Sequence, residues 1–495
     1  MKRMLVVNAS WISVIQLGQR VVELGFTAAL ARLLDPADFG VVAAAMIVIQ
    51  LAQLLVELGV GATLVQLPGL TERDVRAGVT VIGLNAVAYA LATVLLAPVA
   101  AMLLDMDALT TVLRILALMF LIQAIGVVPE ALLVRRLEAR RVVIARFAAK
   151  LAGTGLVGVG LAVMGYGYWA LVAATLVETG VAALWLWTIV RPPMRPLFDR
   201  AVTARLLKRG SGFSASRLLN FAALRGDNAL VGHSLDAAAL GLYARAYNLM
   251  NIPADLYGTI AERLVFPALA SVQSEPERLR RAYLQGLELT ALFGLPVSAL
   301  LYVLAPEVIG IVLGPKWHDV ILPFSILAVA TFFRLGMKIS GSVQRALGAT
   351  RQMIWTQALY AVLVVGGCLV AMPGGITRVA LAVSISVIIA YIAITLACCQ
   401  RVGVALMPLL RVHRAGVLLA LTVILICAPV VAMARSADLP DVLVLLAAGV
   451  ALLPWIVILM VTAPAALLGT IGRQLAVTIR GAAAQRWHGL RGRSR

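Results

Sequence analysis

Apolar runs of about 18 or more residues recur along this chain from one end to the other. A backbone inside hydrocarbon must satisfy its own N–H and C=O groups, so each run reads as a helix crossing a bilayer. The expected class is therefore an all-α, polytopic membrane protein. Charge agrees: only 13% of the residues are charged, against about a quarter in a soluble chain. A net charge of +19 would suggest nucleic acid in a soluble protein. Here the cations sit in short connections between apolar runs, which is the pattern that fixes orientation in a membrane and argues against nucleic-acid binding.

Hydropathy and chain breakers give about fourteen transmembrane helices. One set of connections carries Arg73 and Arg76, the cluster Arg135, Arg136, Arg140 and Arg141, then Arg191 to Arg209, Arg278 to Arg281, and the arginines after Ala463. The alternate set carries mainly acids, among them Asp35, Asp105, Asp107 and Asp236. This asymmetry puts both termini in the cytoplasm. Met1-Lys2-Arg3 and the apolar stretch behind it read as an uncleaved first span. The expected organisation is an N-terminal lobe over 1–190, a cytoplasmic linker over 191–209, a C-terminal lobe over 210–399, two appended helices over 400–462 and a basic cytoplasmic tail over 463–495.

The chain also repeats itself. Leu34-Asp35 through Gly40, with Ala43 and Ala45, matches Leu235-Asp236 through Gly241, with Ala244 and Ala246. Arg135, Leu137, Ala139 and Arg141 match Arg345, Leu347, Ala349 and Arg351. The two lobes thus read as a same-orientation duplication of six helices each, a build that puts a transported substrate between its halves.

Charge inside the spans carries the functional reading. Arg217, Arg225, Asp227, Arg245, Asp255, Glu262 and Arg263 fall in two helix-length segments. Each would cost about 2.5–3.5 kcal/mol at the centre of a lipid-facing helix, so they pair or face water. Arg245, Asn248, Ile252, Asp255, Thr259 and Glu262 recur at steps of three and four and share one helix face. Gln16, Arg20, Glu23 and Thr27 do the same on the first helix, and Gln50, Gln53 and Glu57 on the second. Such stripes line a hydrophilic cavity, or else lock helices together. Arg20, Arg217, Arg225 and Arg245 outnumber the acids, and guanidinium grips phosphate bidentately, so the cavity suits an anionic, diphosphate-type headgroup. Gln53, Asn220 and Asn248 are candidates for sugar contacts. Glu23, Glu57, Asp227 and Asp255 are candidates for coupling to H+ or Na+, each being equally a candidate arginine partner.

Other chemistries find little support. Cys368, Cys398, Cys399 and Cys427 lie in late apolar segments without metal spacing. Asp105-Met-Asp107 imitates the DxD of sugar transferases but sits in a short connection with no domain around it. Asp35 and Asp236 read as helix caps. With no GxxxxGK[ST] loop, the chain carries no ATPase of its own, and neither an enzyme nor a bound cofactor is expected.

Leu240-Gly-Leu-Tyr-Ala-Arg-Ala-Tyr-Asn-Leu249, Phe266-Pro-Ala-Leu269, Glu277 to Tyr283, Leu313-Gly-Pro-Lys-Trp317 and Gln344-Arg-Ala-Leu-Gly348 resemble polysaccharide exporters of the colanic-acid exporter type. These belong to the superfamily of multidrug, oligosaccharidyl-lipid and polysaccharide exporters. The resemblance implies two lobes in a V and flipping of an undecaprenyl-diphosphate-linked oligosaccharide across the bacterial inner membrane. It implies that Arg20, Arg217, Arg225 and Arg245 hold the diphosphate. The partners expected are that lipid-linked substrate, membrane lipids and the polymerase or assembly proteins of a surface polysaccharide. A cation-coupled multidrug exporter of the same superfamily is the alternative.

Overall fold

A computed structural model describes residues 2–56, 60–67, 69–193, 195–199, 202, 214–260 and 265–462. The described residues hold helices and connecting turns, with no strand among them. The tail over 463–495, Glu57, Glu262, Arg263 and most of the 191–209 linker lie outside them, as do the side chains of Gln16, Arg217 and Thr259.

Two compact units divide the chain, Met1–Ala244 with Val312–Lys316, and Arg245–Ile311 with Trp317–Arg495. The first unit begins with α1 (Lys2–Leu33), α2 (Pro36–Val56), the short α3 (Val60–Gln66) and α4 (Glu72–Leu104). It continues through α5 (Asp107–Leu116), α6 (Leu118–Arg135), α7 (Ala139–Lys150), a π-helical segment Leu151–Gly158, α8 (Val159–Val163), α9 (Tyr168–Val190) and α10 (Ser214–Ser234). Helix α11 (Ala237–Ile260) runs from this unit into the second.

The second unit repeats that order. A short helix, α12 (Phe266–Ser271), follows α11 as α3 follows α2, and a long helix, α13 (Pro276–Val303), comes next as α4 does. Then come α14 (Ala305–Val312), α15 (Ile321–Val329), α16 (Thr331–Ala346), α17 (Thr350–Ala371) and α18 (Gly375–Val402), followed by α19 (Leu406–Ser436) and α20 (Asp441–Thr462). Both units interrupt a span, between α5 and α6 and between α15 and α16, and at the second of these breaks the path bends by 41°. The repeat-matched arginines also work in parallel. Arg135 donates through one Nη to the carbonyls of Leu64, Val65 and Leu67 at 2.8–3.1 Å, collecting the open C-terminal end of α3. Arg345 lies over the Phe266 ring at 5.7 Å, at the start of α12.

Among the described residues nine helices are long and apolar enough to cross a membrane, or ten with the bent pair Pro315–Val329 and Thr331–Ala346. The stretch counted over Thr350–Val402 contains both α17 and α18. Helices α1, α10 and α11 are not among the nine. The expected total of about fourteen depends on them.

Helix ends account for several of the charged motifs. Asp236 Oδ1 accepts from Ala239 N at 2.6 Å and caps α11, as expected. At the start of α2 the carboxylate of Asp38 does that work, accepting from Asp35 N at 3.0 Å, while Asp35 Oδ1 instead meets Lys316 Nζ at 2.9 Å. Asp105 closes α4 in the left-handed region at φ 47 and Asp107 starts α5, so the DxD-like triplet is a helix junction. In the second unit α19 lies closely along α13, with Gly416 against the Ala291 backbone. Glu307 of α14 is 2% exposed and receives two hydrogen bonds from Arg435, at 2.7 and 2.9 Å, which ties α19 to the unit.

Candidate functional site

In the first unit α1, α7 and α9 bring four charges together. Arg20 and Glu23 are three residues apart, so they share a face of α1, and Arg20 Nη1 donates to Glu23 Oε2 at 3.0 Å. Lys150 Nζ stands 3.2 Å from Glu23 Oε1 and 3.5 Å from Glu178 Oε1. Thr154 Oγ1 donates to the other Glu178 oxygen at 3.0 Å. Side-chain exposures between 29% and 40% keep all four charged groups open on one side.

A π-helical segment begins directly after Lys150. Its wider turn rotates Thr154 toward α9, and such segments often mark functional positions. Gly153 packs on the Ala174 and Glu178 backbone and Gly155 under the Phe26 ring, so α1 and α9 both approach closely. Nearby helices add further polar pairs: Gln53 Nε2 donates to Gln123 Oε1 at 3.0 Å, and Arg146 Nη2 to Glu130 Oε1 at 2.6 Å. On α10 Asn220 is exposed and Arg225 half-buried. Asp227 is fully buried and accepts from Asn228 N at 2.7 Å, Asn228 Nδ2 at 3.0 Å and Tyr243 OH at 2.8 Å.

The second unit holds a different arrangement. Asn248 and Asp255 lie seven residues apart on α11 and are both exposed, while Arg245 is half-buried. From α16, Lys338 Nζ comes within 3.8 Å of Asp255 Oδ1. One turn earlier, Arg334 is 6% exposed, donates to Tyr247 OH at 2.9 Å and lies 4.7 Å over its ring. Of the residues expected from sequence, Arg20 and Glu23 therefore meet in one cluster, and Asn248 and Asp255 share a face in another.

Sequence reading passed over Lys150, Glu178, Arg334 and Lys338. Glu178 is the one charge of apolar α9, so periodicity gave no sign of it, while Lys150 is one of four cations on α7, with Arg140, Arg141 and Arg146, and nothing local sets it apart from them. Arg334, Lys338 and Arg345 did carry a signal, a four-and-seven spacing along one face of α16.

Residues 29–322 match the family model described as polysaccharide biosynthesis protein. The chain is 27% identical to the teichuronic acid biosynthesis protein TuaB of Bacillus subtilis over 57% of this chain. The match spans 59% of that relative, less than two thirds of its length. In fold the chain is similar to the lipid II flippase MurJ in an inward closed conformation, with a TM-score of 0.73 and 12% identity, over 92% of this chain and 99% of that one. It is also similar to a multidrug resistance MATE family transporter of the MOP superfamily in an inward-facing conformation. There the TM-score is 0.62 at 16% identity, over 79% of this chain and 98% of the other.

Proposed function

The chain belongs to the polysaccharide biosynthesis protein family, and from that premise we propose that it moves an undecaprenyl-diphosphate-linked oligosaccharide across the bacterial inner membrane. The cycle is alternating access, with a cationic cavity that receives the diphosphate, and the product feeds a cell-surface polysaccharide. Arg20, Arg217, Arg225 and Arg245 bind the diphosphate, while Gln53, Asn220 and Asn248 contact the sugars. Polymerase and assembly proteins of the glycan are the proposed partners, and both termini are cytoplasmic.

One observation carries the reading. Half-exposed charges occupy the interiors of span-length helices, Arg20, Glu23, Lys150 and Glu178 in one unit and Asp255 and Lys338 in the other. Facing lipid, each would cost about 2.5 kcal/mol or more, so water or a polar ligand is their natural surrounding. The resemblance in fold to a lipid II flippase supports a lipid-linked ligand as that partner.

The balanced charge of the first cluster favours a second reading. Two cations there, Arg20 and Lys150, face two acids, Glu23 and Glu178. Such a group suits cation coupling, and drug export driven by H+ or Na+ is the alternative it supports.

The deciding experiment follows a fluorescent diphosphate-linked oligosaccharide lipid in proteoliposomes. Flipping by the wild type, lost in Arg245→Ala and Arg225→Ala protein that still folds, is the expected result. Flipping that both variants retain would remove the arginine site and keep the class. Efflux of a cationic dye without any flipping would establish the drug exporter instead.

A further inference from the structure

We infer that Lys338 and Arg334 of α16 form a phosphate-binding site, with Asp255 holding the Lys338 ammonium until phosphate displaces it. This site rests on the transport reading above, and it adds two cations outside the arginine set to those that receive the diphosphate.

Four positions separate Arg334 from Lys338, so the two share a face of α16. Arg334 is held ready. Its guanidinium stacks 4.7 Å over Tyr247 and donates to the hydroxyl of that ring at 2.9 Å. An arginine only 6% exposed in a membrane helix costs several kcal/mol in lost hydration, which a purely structural position would avoid with an apolar residue.

Lys338 is held loosely by contrast. Its distance of 3.8 Å from Asp255 is beyond hydrogen bonding, and the two side chains are 38% and 54% exposed. Such a pair is worth about 0–1 kcal/mol, little enough for a doubly charged phosphate oxygen set to displace it. Room for the ammonium comes from Gly258, where any Cβ would stand 2.7 Å from Lys338 Nζ. Lys338 also lies eight residues before the end of α16, about 12 Å by helical rise, which is farther than its own side chain extends.

The same face continues the pattern. Arg345 Nη2 donates to Ser342 Oγ at 3.2 Å, so cations recur down α16 at 334, 338 and 345. Exposed Asn248 lies two turns from Asp255 on α11, within reach of hydroxyl groups beside a bound phosphate. A phosphomonoester, a diphosphate and a phospholipid headgroup share the chemistry this site recognises.

The test uses the full chain in nanodiscs and titrates a short polyprenyl diphosphate, inorganic pyrophosphate and, by varying the disc composition, phosphatidylglycerol. Lys338→Ala should weaken polyprenyl diphosphate about tenfold, the value of one hydrogen bond to a charged group. Lys338→Arg should stay within about threefold, and Asp255→Asn should tighten binding severalfold because the competing carboxylate is gone. Pyrophosphate bound with the same Lys338 dependence supports the site independently of lipid. A dependence seen only with phosphatidylglycerol would make it a lipid-headgroup site and overturn its assignment to the transported diphosphate. Wild-type binding and flipping that Lys338→Ala leaves intact overturns the site while keeping the transport reading. A wild type that binds pyrophosphate through Lys338 but flips no diphosphate lipid overturns the transport reading and keeps an anion site.

Discussion

Gly40 and Gly241 lie against each other where α2 crosses the first turn of α11. A Cβ on Gly40 would run into the Ala237 carbonyl, and one on Gly241 into the Pro36 carbonyl. The two residues also hold the same position in the two repeats that begin at Leu34 and Leu235. A duplicated turn thus packs on its own copy, backbone against backbone, and only a residue without a side chain permits the approach.

Alanine at either glycine should destabilise the protein by about 1–3 kcal/mol, since neither backbone can retreat without moving a helix. Thermal unfolding of the purified protein measures this. Gly180→Ala on α9 serves as control, because nothing lies within 4 Å of its Cβ position, and it should be neutral or stabilising. Equal melting temperatures for Gly40→Ala and Gly180→Ala would refute the packing account.

Removing Arg435 should cost about 3 kcal/mol, the low end for a broken buried pair because the arginine itself is 44% exposed. Glu307, 2% exposed, would then keep a buried charge with two hydrogen bonds gone. Glu307→Gln should cost less, since it removes the charge along with the pairing. The comparison of the two melting temperatures is the measurement, and the reverse order would show that the carboxylate is solvated from another side.

Asp227 offers a cleaner separation of structure from function. Its three donors predict that Tyr243→Phe costs about 1.5–3 kcal/mol through loss of a hydrogen bond to a charged group. If Asp227 also couples transport to an ion, Asp227→Asn should stop flipping at a temperature where the protein is still folded. Transport and unfolding measured on the same preparation decide between a structural carboxylate and a coupling one.

Class and repeat were legible in the sequence because apolar length and turn motifs are local. The match of Asp35 to Asp236 needed only spacing, and Asp236 does cap its helix. Asp35 does not, because Lys316, far along the chain, claims its carboxylate, and no local rule announces such a partner. Lys150 and Glu178 were hidden for a related reason. Glu178 is the one charge of α9 and Lys150 the last of four cations on α7, and no local pattern joins two positions so far apart in the chain. On α16 the cations recur at 334, 338 and 345, but only Arg345 entered the sequence reading, as the repeat match of Arg135.

The cluster on α1, α7 and α9 allows a test of lock against cavity. Three ion pairs with exposures of 29–40% contribute little to stability, about 0–1 kcal/mol each, so Lys150→Met should barely move the melting temperature. Its effect on transport should be large, at least about tenfold, because Glu23 and Glu178 then face each other across an open surface without their shared cation. Adding Glu178→Gln to Lys150→Met should recover part of the rate, since the surplus negative charge is gone; the double-mutant cycle should show a coupling of about 0.5–3 kcal/mol in the transport barrier. A lock would behave the other way, with the melting temperature falling in the single variant and transport following it in proportion. Rates and melting temperatures that fall together across all three variants would therefore make this cluster a fastening, and rates that fall alone would put it on the path of the ligand or of its coupling ion.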